Sequence, residues 1–245
     1  FSDVINIAGG FTREDVVIIE GGPMMGQLVK NFSEPVTKTT SGILVLPASH
    51  QIASKREIPY SFQKKKARAV CTQCTRCTDF CPRFLLGHGL YPNILMRNID
   101  FNDSTYPSIS HSPALCILCG LCEVFACDMD LSPRAIYSKM RESKLKIDFN
   151  QNKESKIDDF REIRKVPISR LIEKLEIGEY DGKKNFDHNE YLPNTVEIKL
   201  RQHIGEMATP LVNVGYKVKR NELIAKTQSG KLGANIHASI SGVVK

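Results

Sequence analysis

Apolar residues along this chain gather in short runs divided by glycine, proline and charge, a pattern that predicts several small mixed units. The β-branched runs Val16-Val17-Ile18-Ile19 and Ile43-Leu44-Val45-Leu46, bounded by glycine turns, predict strands. Ahead of them, Val4, Ile5 and Ile7 space one short helix over residues 2–8, stopped at Gly9-Gly10. Residues 1–60 thus read as a small α+β or mostly β unit.

Residues 61–145 predict two helices. One spans 85–99, delayed or interrupted by Gly87, Gly89 and Pro92. The other follows Ser132, a capping residue, with Pro133 at the first helical position and Ile136, Tyr137 and Met140 on one face. Residues 146–194 begin with the charged stretch Gln151-Asn152-Lys153-Glu154-Ser155-Lys156, read as a mobile or surface linker. A short helix over 166–175 follows, with Ile168, Leu171, Ile172 and Leu175 at helical spacing. In residues 195–245, Val196-Glu197-Ile198-Lys199-Leu200 alternates and glycines 205, 215, 230, 233 and 242 punctuate short runs. A strand is expected to turn through Gly215 between Val212 and Val218, and the zone reads as a small all-β barrel or sandwich. The fold class is α+β and multidomain.

A length of 245 residues with 41% hydrophobic content supports more than one core. No apolar run reaches the roughly 18 residues that cross a bilayer, and no secretory signal opens the chain. The reading is a soluble, cytoplasmic protein without a direct membrane span. Because the sequence opens at Phe1, a fragment or a processed product is expected. The formal charge of +7 is spread out except at Lys64-Lys65-Lys66 with Arg68, and no aromatic residues interleave as base-stacking surfaces require. That argues against nucleic acid as a partner, while an acidic redox partner could use the same charge.

All eight cysteines lie between Cys71 and Cys127, which points to cofactor ligation rather than a disulfide framework. Cys71-Thr-Gln-Cys74-Thr-Arg-Cys77-Thr-Asp-Phe-Cys81-Pro82 has the spacing of bacterial two-cluster ferredoxins. Three thiolates two residues apart wrap three iron corners of one cubane, and the cysteine before proline ligates the other cluster, as is general for such ferredoxins. Cys116-Ile-Leu-Cys119-Gly-Leu-Cys122-Glu-Val-Phe-Ala-Cys127 repeats the triplet with a longer last gap and Asp128 where proline is usual. The expected ligand sets for two 4Fe-4S clusters are therefore Cys71, Cys74, Cys77 and Cys127, and Cys116, Cys119, Cys122 and Cys81. Crossed ligation brings the clusters close enough to relay electrons. Ile117, Leu118, Gly120, Leu121, Val124, Phe125 and Ala126 would exclude water, and Arg76 and Asp79 could tune the first site oppositely. The competing reading, a zinc-stabilised interaction module without redox function, leaves the third cysteine of each triplet unexplained. No residue is assigned a catalytic role.

The cysteine zone and its flanks resemble the RnfC-like electron-transfer family over nearly the whole chain. Besides the cysteines, the resemblance rests on Gly21-Gly22-Pro23-Met24-Met25-Gly26, Thr37-Lys38-Thr39-Thr40-Ser41-Gly42-Ile43, Leu131-Ser132-Pro133-Arg134 and Gln202-His203-Ile204-Gly205. It implies an SLBB, β-grasp-like unit over 1–60, a mostly helical two-cluster ferredoxin-like unit over 61–145, and a barrel-sandwich hybrid domain over 195–245. It also implies an upstream flavin domain with FMN that oxidises NADH, whose glycine-rich loops have no counterpart here. Gly21–26 has the wrong spacing for a dinucleotide fingerprint and reads as a tight turn. In the barrel-sandwich zone, Lys231 could be a carrier lysine but lacks the flanking methionines of a biotin site, and His203 and His237 read as packing or surface residues. The barrel-sandwich zone follows the cysteines, an order similar to that of the cobalamin-reductase type. This implies electron transfer to cobalamin or a corrinoid-handling protein, in a bacterial microcompartment. The alternative within the family is a peripheral component of a membrane Rnf-type ion-translocating complex.

Overall fold

The structure, a computed structural model, describes residues 1–98, 113–142, 156–182 and 190–245. β-branched side chains crowd a helix but suit a pleated surface, and strands form where they cluster, at Val16–Glu20 (β1) and Ile43–Pro47 (β3). Gln27–Leu28 (β2) is a further short strand. Ile18, Ile19 and Leu46 are buried. Helix Ser2–Ile7 (α1) forms as expected, but of its three apolar positions only Ile5 is buried.

The chain divides into two compact units, one made of Phe1–Gly21, Val29–Val45 and Lys184–Lys245, the other of Gly22–Leu28 and Leu46–Lys183. The second is helical: Gln51–Glu57 (α2), Tyr60–Val70 (α3), Arg76–Asp79 (α4), Pro82–Leu85 (α5), Pro92–Arg97 (α6), Leu121–Val124 (α7), Pro133–Glu142 (α8) and Ile168–Leu175 (α9). Its core gathers Ala67 from α3, Leu95 and Met96 from α6, Ile136 and Tyr137 from α8, and Leu90 and Leu131 from the connections. Ser132 caps α8 by accepting the Ala135 N–H at 3.2 Å, and Met140 packs at the margin of this core.

The single helix expected over 85–99 is instead two. α5 ends at Leu85, the chain turns through Gly87 at φ +87°, and α6 starts with Pro92 in its first turn, where the missing N–H costs nothing. Ile99 lies outside the described residues. The helix expected from Val166 starts at Ile168, because Pro167 occupies the extended N-cap position. Of the charged linker, residues 146–155 lie outside the described residues. Residues 156–164 fold back at the surface: Asp158 N–H donates to Leu85 O at 3.1 Å, and Arg164 pairs with Asp79 at 3.5 Å and Asp158 at 3.8 Å.

In the first unit the C-terminal zone is all β. Thr209–Pro210 (β4), Leu223–Lys226 (β6) and Ile236–His237 (β7) form one antiparallel sheet, and Lys217–Val218 (β5) pairs with Gly242–Val243 (β8) in another. Ala208, Ala225 and Ile236 form its core. Residues 196–200 join no ladder despite their alternation. Ile198 and Leu200 still turn onto that core, and Leu200 O accepts the Ala208 N–H at 3.1 Å, so packing satisfies the pattern without a strand partner. Gly205 is obligatory: at φ +120°, a Cβ there would stand 2.3 Å from Leu232 O.

Candidate metal centre

The two cysteine runs are folded alike. Cys71 ends α3, its N–H bonded to Ala67 O at 3.2 Å, and the chain passes through Gln73 (φ +55°) and Thr75 (φ +64°) into α4, which carries Cys77. Leu118 (φ +56°) and Gly120 (φ +79°) hold the same positions after Cys116 and lead into α7, which carries Cys122. Left-handed residues two and four places beyond the first cysteine turn successive backbone N–H groups toward one concavity, a nest for anionic groups. Leu118 N–H donates to Cys116 Sγ at 3.4 Å, Gln73 Nε2–H to Cys71 Sγ at 3.2 Å, and Leu131 N–H to Cys127 Sγ at 3.4 Å. Residue types do not signal this shared backbone pattern, since only one of the four positions is glycine.

After each triplet the chain leaves its own loop. Cys81, whose thiol is buried, N-caps α5 with Pro82 at its first position. Cys127 follows α7, with Asp128 in place of proline. Arg76 Nη1 donates to Asp128 Oδ2 in an ion pair that ties the first loop to the end of the second. Asp79 accepts from Thr75 Oγ1 at 2.9 Å and pairs with Arg164, so both charges expected to tune the first site have partners.

Electrostatic coupling divides the thiols. Burial pushes Cys77 up to about 12, and Cys127, Cys71 and Cys74 add to it by repelling a thiolate. Burial pushes Cys116 up to about 11, opposed by the Leu118 N–H and reinforced by Cys81 and Cys119. Cys122 is raised well above the ordinary thiol range by burial, then by Glu123, Cys119, Cys116 and Cys81, and Cys81 is raised by burial with Cys119 contributing. Cys77 thus feels Cys127 beside the cysteines of its own run, and Cys116 and Cys122 feel Cys81. Thiols raised by burial and by one another are ones that a bound cationic metal group would stabilise as thiolates.

The second group faces a cavity walled by Leu90, Pro92, Leu118 and Tyr137. Leu90 and Tyr137 are not among the expected shielding residues, because they arrive from other elements. Ala126 is buried as expected, and Ile117, though 41% exposed, lines the same cavity. In the first group Cys74 is exposed. Elsewhere, Lys231 sits on an exposed turn, His237 is exposed, and His203 Nε2 accepts the Ala234 N–H at 3.1 Å.

Residues 70–132 match the 4Fe-4S dicluster domain family and residues 183–245 the RnfC barrel sandwich hybrid domain family. The chain is similar to cobalamin reductase PduS of Salmonella typhimurium, with 41% identity over 99% of this chain and 54% of that protein. Its 4Fe-4S dicluster and RnfC barrel sandwich hybrid segments are those of RnfC-like electron-transfer proteins, which the chain resembles. Its similarity to cobalamin reductase PduS of Citrobacter freundii is 38%, with the same coverage, so the chain spans about half the length of these relatives. Over 85 residues it is 38% identical to a component of the proton-translocating ferredoxin:NAD(+) oxidoreductase complex of Clostridium ljungdahlii, a match that covers 35% of this chain and 16% of that protein. No solved structure matches the chain. The domain family matched by residues 70–132 is one that carries 4Fe-4S clusters. Among the described residues no helix is long and apolar enough to cross a membrane.

Proposed function

We propose that this chain is the iron-sulfur relay of a flavin-dependent, NADH-linked reductase of the cobalamin-reductase type. In this reading Cys71, Cys74, Cys77 and Cys127 hold one 4Fe-4S cluster, and Cys81, Cys116, Cys119 and Cys122 hold a second. What supports it is the coupling of Cys77 with Cys127 and of Cys116 and Cys122 with Cys81, across two runs of cysteines at cluster-ligand spacing. When bound, the clusters supply reversible one-electron transfer.

The chain's own residues supply the rest. The Leu118 N–H and the Gln73 side-chain amide are aimed at the Cys116 and Cys71 sulfurs, the Leu90 and Tyr137 side chains keep water from the second site, and exposed Cys74 leaves the first site the nearer to solvent for electron exchange. The domain reading is an SLBB-like unit over 1–60, the two-cluster unit over 61–145, a linker with a short helix over 146–194, and the barrel-sandwich domain over 195–245. FMN belongs to an upstream domain, cobalamin or a corrinoid-handling protein is the acceptor, and the location is cytoplasmic, within a microcompartment. Similarity to PduS over 99% of this chain supports this reading over a component of a membrane complex, whose members match only about a third of the chain.

Iron and acid-labile sulfide on anaerobically prepared chain test the proposal. About eight of each per chain, with a magnetically coupled EPR spectrum after reduction, are expected from two neighbouring cubanes. Stoichiometric zinc without sulfide would overturn it.

A further inference from the structure

The loop Gly22-Pro23-Met24-Met25-Gly26 has no part in the proposed ligation, yet it is firmly held. Arg56, 30 or more residues away, donates from Nε to Gly26 O at 2.9 Å and from Nη2 to Pro23 O at 2.8 Å, and its Nη1 reaches Ile52 O in its own helix at 3.3 Å. The loop then lies against the second cysteine turn. A Cβ built on Gly120 would stand 3.3 Å from Met24 O, 3.5 Å from Glu123 Oε1 and 3.7 Å from Arg134 Cδ. Glu123 accepts from Arg134 Nε at 2.6 Å, with side chains only 14% and 16% exposed, and also from Ser132 Oγ. Two guanidinium groups and one carboxylate therefore converge on the turn that carries Cys119 and Cys122, where little water is present to screen them. Burial, and then the nearby Arg134, lower Arg56 to about 10 against the pull of Glu123, which leaves it cationic at neutral pH.

We propose that Arg56 and Glu123 are positioning residues for the second cluster: the Arg56-pinned Gly22–26 loop and the Glu123–Arg134 pair close over Gly120 and set how readily a cluster held there is reduced. The inference rests on the proposed ligation by Cys81, Cys116, Cys119 and Cys122. Added electron density is opposed by a fixed negative charge and favoured by a fixed positive one, so the two residues act with opposite sign.

The test is an anaerobic redox titration of the whole chain, read by EPR, after iron and sulfide have been counted. Glu123→Gln is expected to favour the reduced second cluster at least threefold at fixed ambient potential, about 28 mV at about 59 mV per tenfold for one electron. Arg56→Met is expected to disfavour it by a similar factor, and Arg56→Lys, which keeps the charge but loses the fork that pins the loop, to shift it the same way by clearly less. If Arg56→Met does not retain iron, Arg134→Met removes the other positive charge and is expected to shift the same way. Midpoints that do not move in iron-replete variants, Glu123→Gln and Arg56→Met shifts of the same sign, or an Arg56→Lys shift as large as that of Arg56→Met, would overturn the inference alone. A wild-type chain without iron and sulfide would overturn the ligation with it.

Discussion

Phe80 and Phe125 meet edge to face, their ring centroids 5.2 Å apart and their planes at 79°. Each stands three residues beyond the third cysteine of its own run, at the end of a one-turn helix. The contact therefore joins α4 to α7 where the chain carries Cys81 and Cys127 out of their own loops. A buried aromatic pair contributes about 0.5–1.5 kcal/mol beyond its area, and truncating a fully buried phenylalanine costs about 3–5 kcal/mol. Both rings are partly exposed, so Phe80→Ala or Phe125→Ala is expected to cost about 1–3 kcal/mol. The double variant should cost less than the sum, because one contact is removed twice. Chemical unfolding of the three variants checks this, and strict additivity would show that the rings do not stabilise each other.

Exchange of the fourth cysteine makes a prediction about iron content. If Cys127 completes the first triplet, Cys71→Ala, Cys127→Ala and the double variant should each lose about four irons, since all three break the same cubane. Cys71→Ala combined with Cys81→Ala should lose about eight, because the two thiols belong to different cubanes. Iron assays on anaerobically purified variants decide it. If Cys71→Ala with Cys81→Ala lost no more than either alone, each run would hold its own cluster.

Much of this arrangement is legible in residue types, and what is not has a common cause. The spacing of the cysteines is a local property, and so is the Ser132-Pro133 start of α8 with Ile136 and Tyr137 on its inner face. The break between α5 and α6 is marked by Gly87 and Pro92, which outweigh the continuous apolar pattern that predicts one helix. Residues 196–200 alternate like a strand and pack like one, yet whether a strand forms depends on a neighbour with free backbone groups, and among the described residues no strand pairs with them. The hold of Arg56 on Pro23 and Gly26, and the Leu90 and Tyr137 walls of the second cavity, join segments far apart in sequence. No local pattern reports them. The repeated left-handed turns are hidden for another reason: Gln73, Thr75 and Leu118 are not residues that signal positive φ.

Asp130 pairs with Lys55 at 2.8 Å and with Lys66 at 3.6 Å, and the hydrogen bond from Lys55 holds its carboxyl below the ordinary value of 3.8. A carboxyl lowered by folding stabilises the protein above pH about 4, and that contribution is lost as pH falls through the lowered value. Because the side chain is 52% exposed, solvent screens the pair and its worth is about 0–1 kcal/mol. Asp130 sits at φ +53°, a conformation asparagine also tolerates, so Asp130→Asn removes the charge without straining the turn. The variant should be slightly less stable at pH 7 in low salt, with the difference shrinking in high salt and as pH falls below about 4. Denaturant unfolding followed by circular dichroism across that range checks it, and a deficit that persisted in acid would exclude an ionic origin.

Gly120 combines two constraints that alanine violates at once. Its φ of +79° costs an L-residue about 1–2 kcal/mol, and the added methyl would meet the Met24 carbonyl at 3.3 Å, a backbone atom that Arg56 anchors through the neighbouring Pro23 and Gly26 oxygens. Either the turn leaves the left-handed region, moving Cys119 and Cys122, or the loop is pushed off and water reaches the second site. Gly120→Ala is therefore expected to destabilise the chain by about 1–3 kcal/mol and to speed bleaching of its visible absorbance in denaturant. Gly89 provides the comparison, since its φ is not in the left-handed region and a Cβ there meets nothing within 4 Å. Gly89→Ala should stay within about 0.5 kcal/mol of wild type. If Gly120→Ala bleached no faster than Gly89→Ala, the close approach of the Met24 carbonyl would have no bearing on how the second site is held.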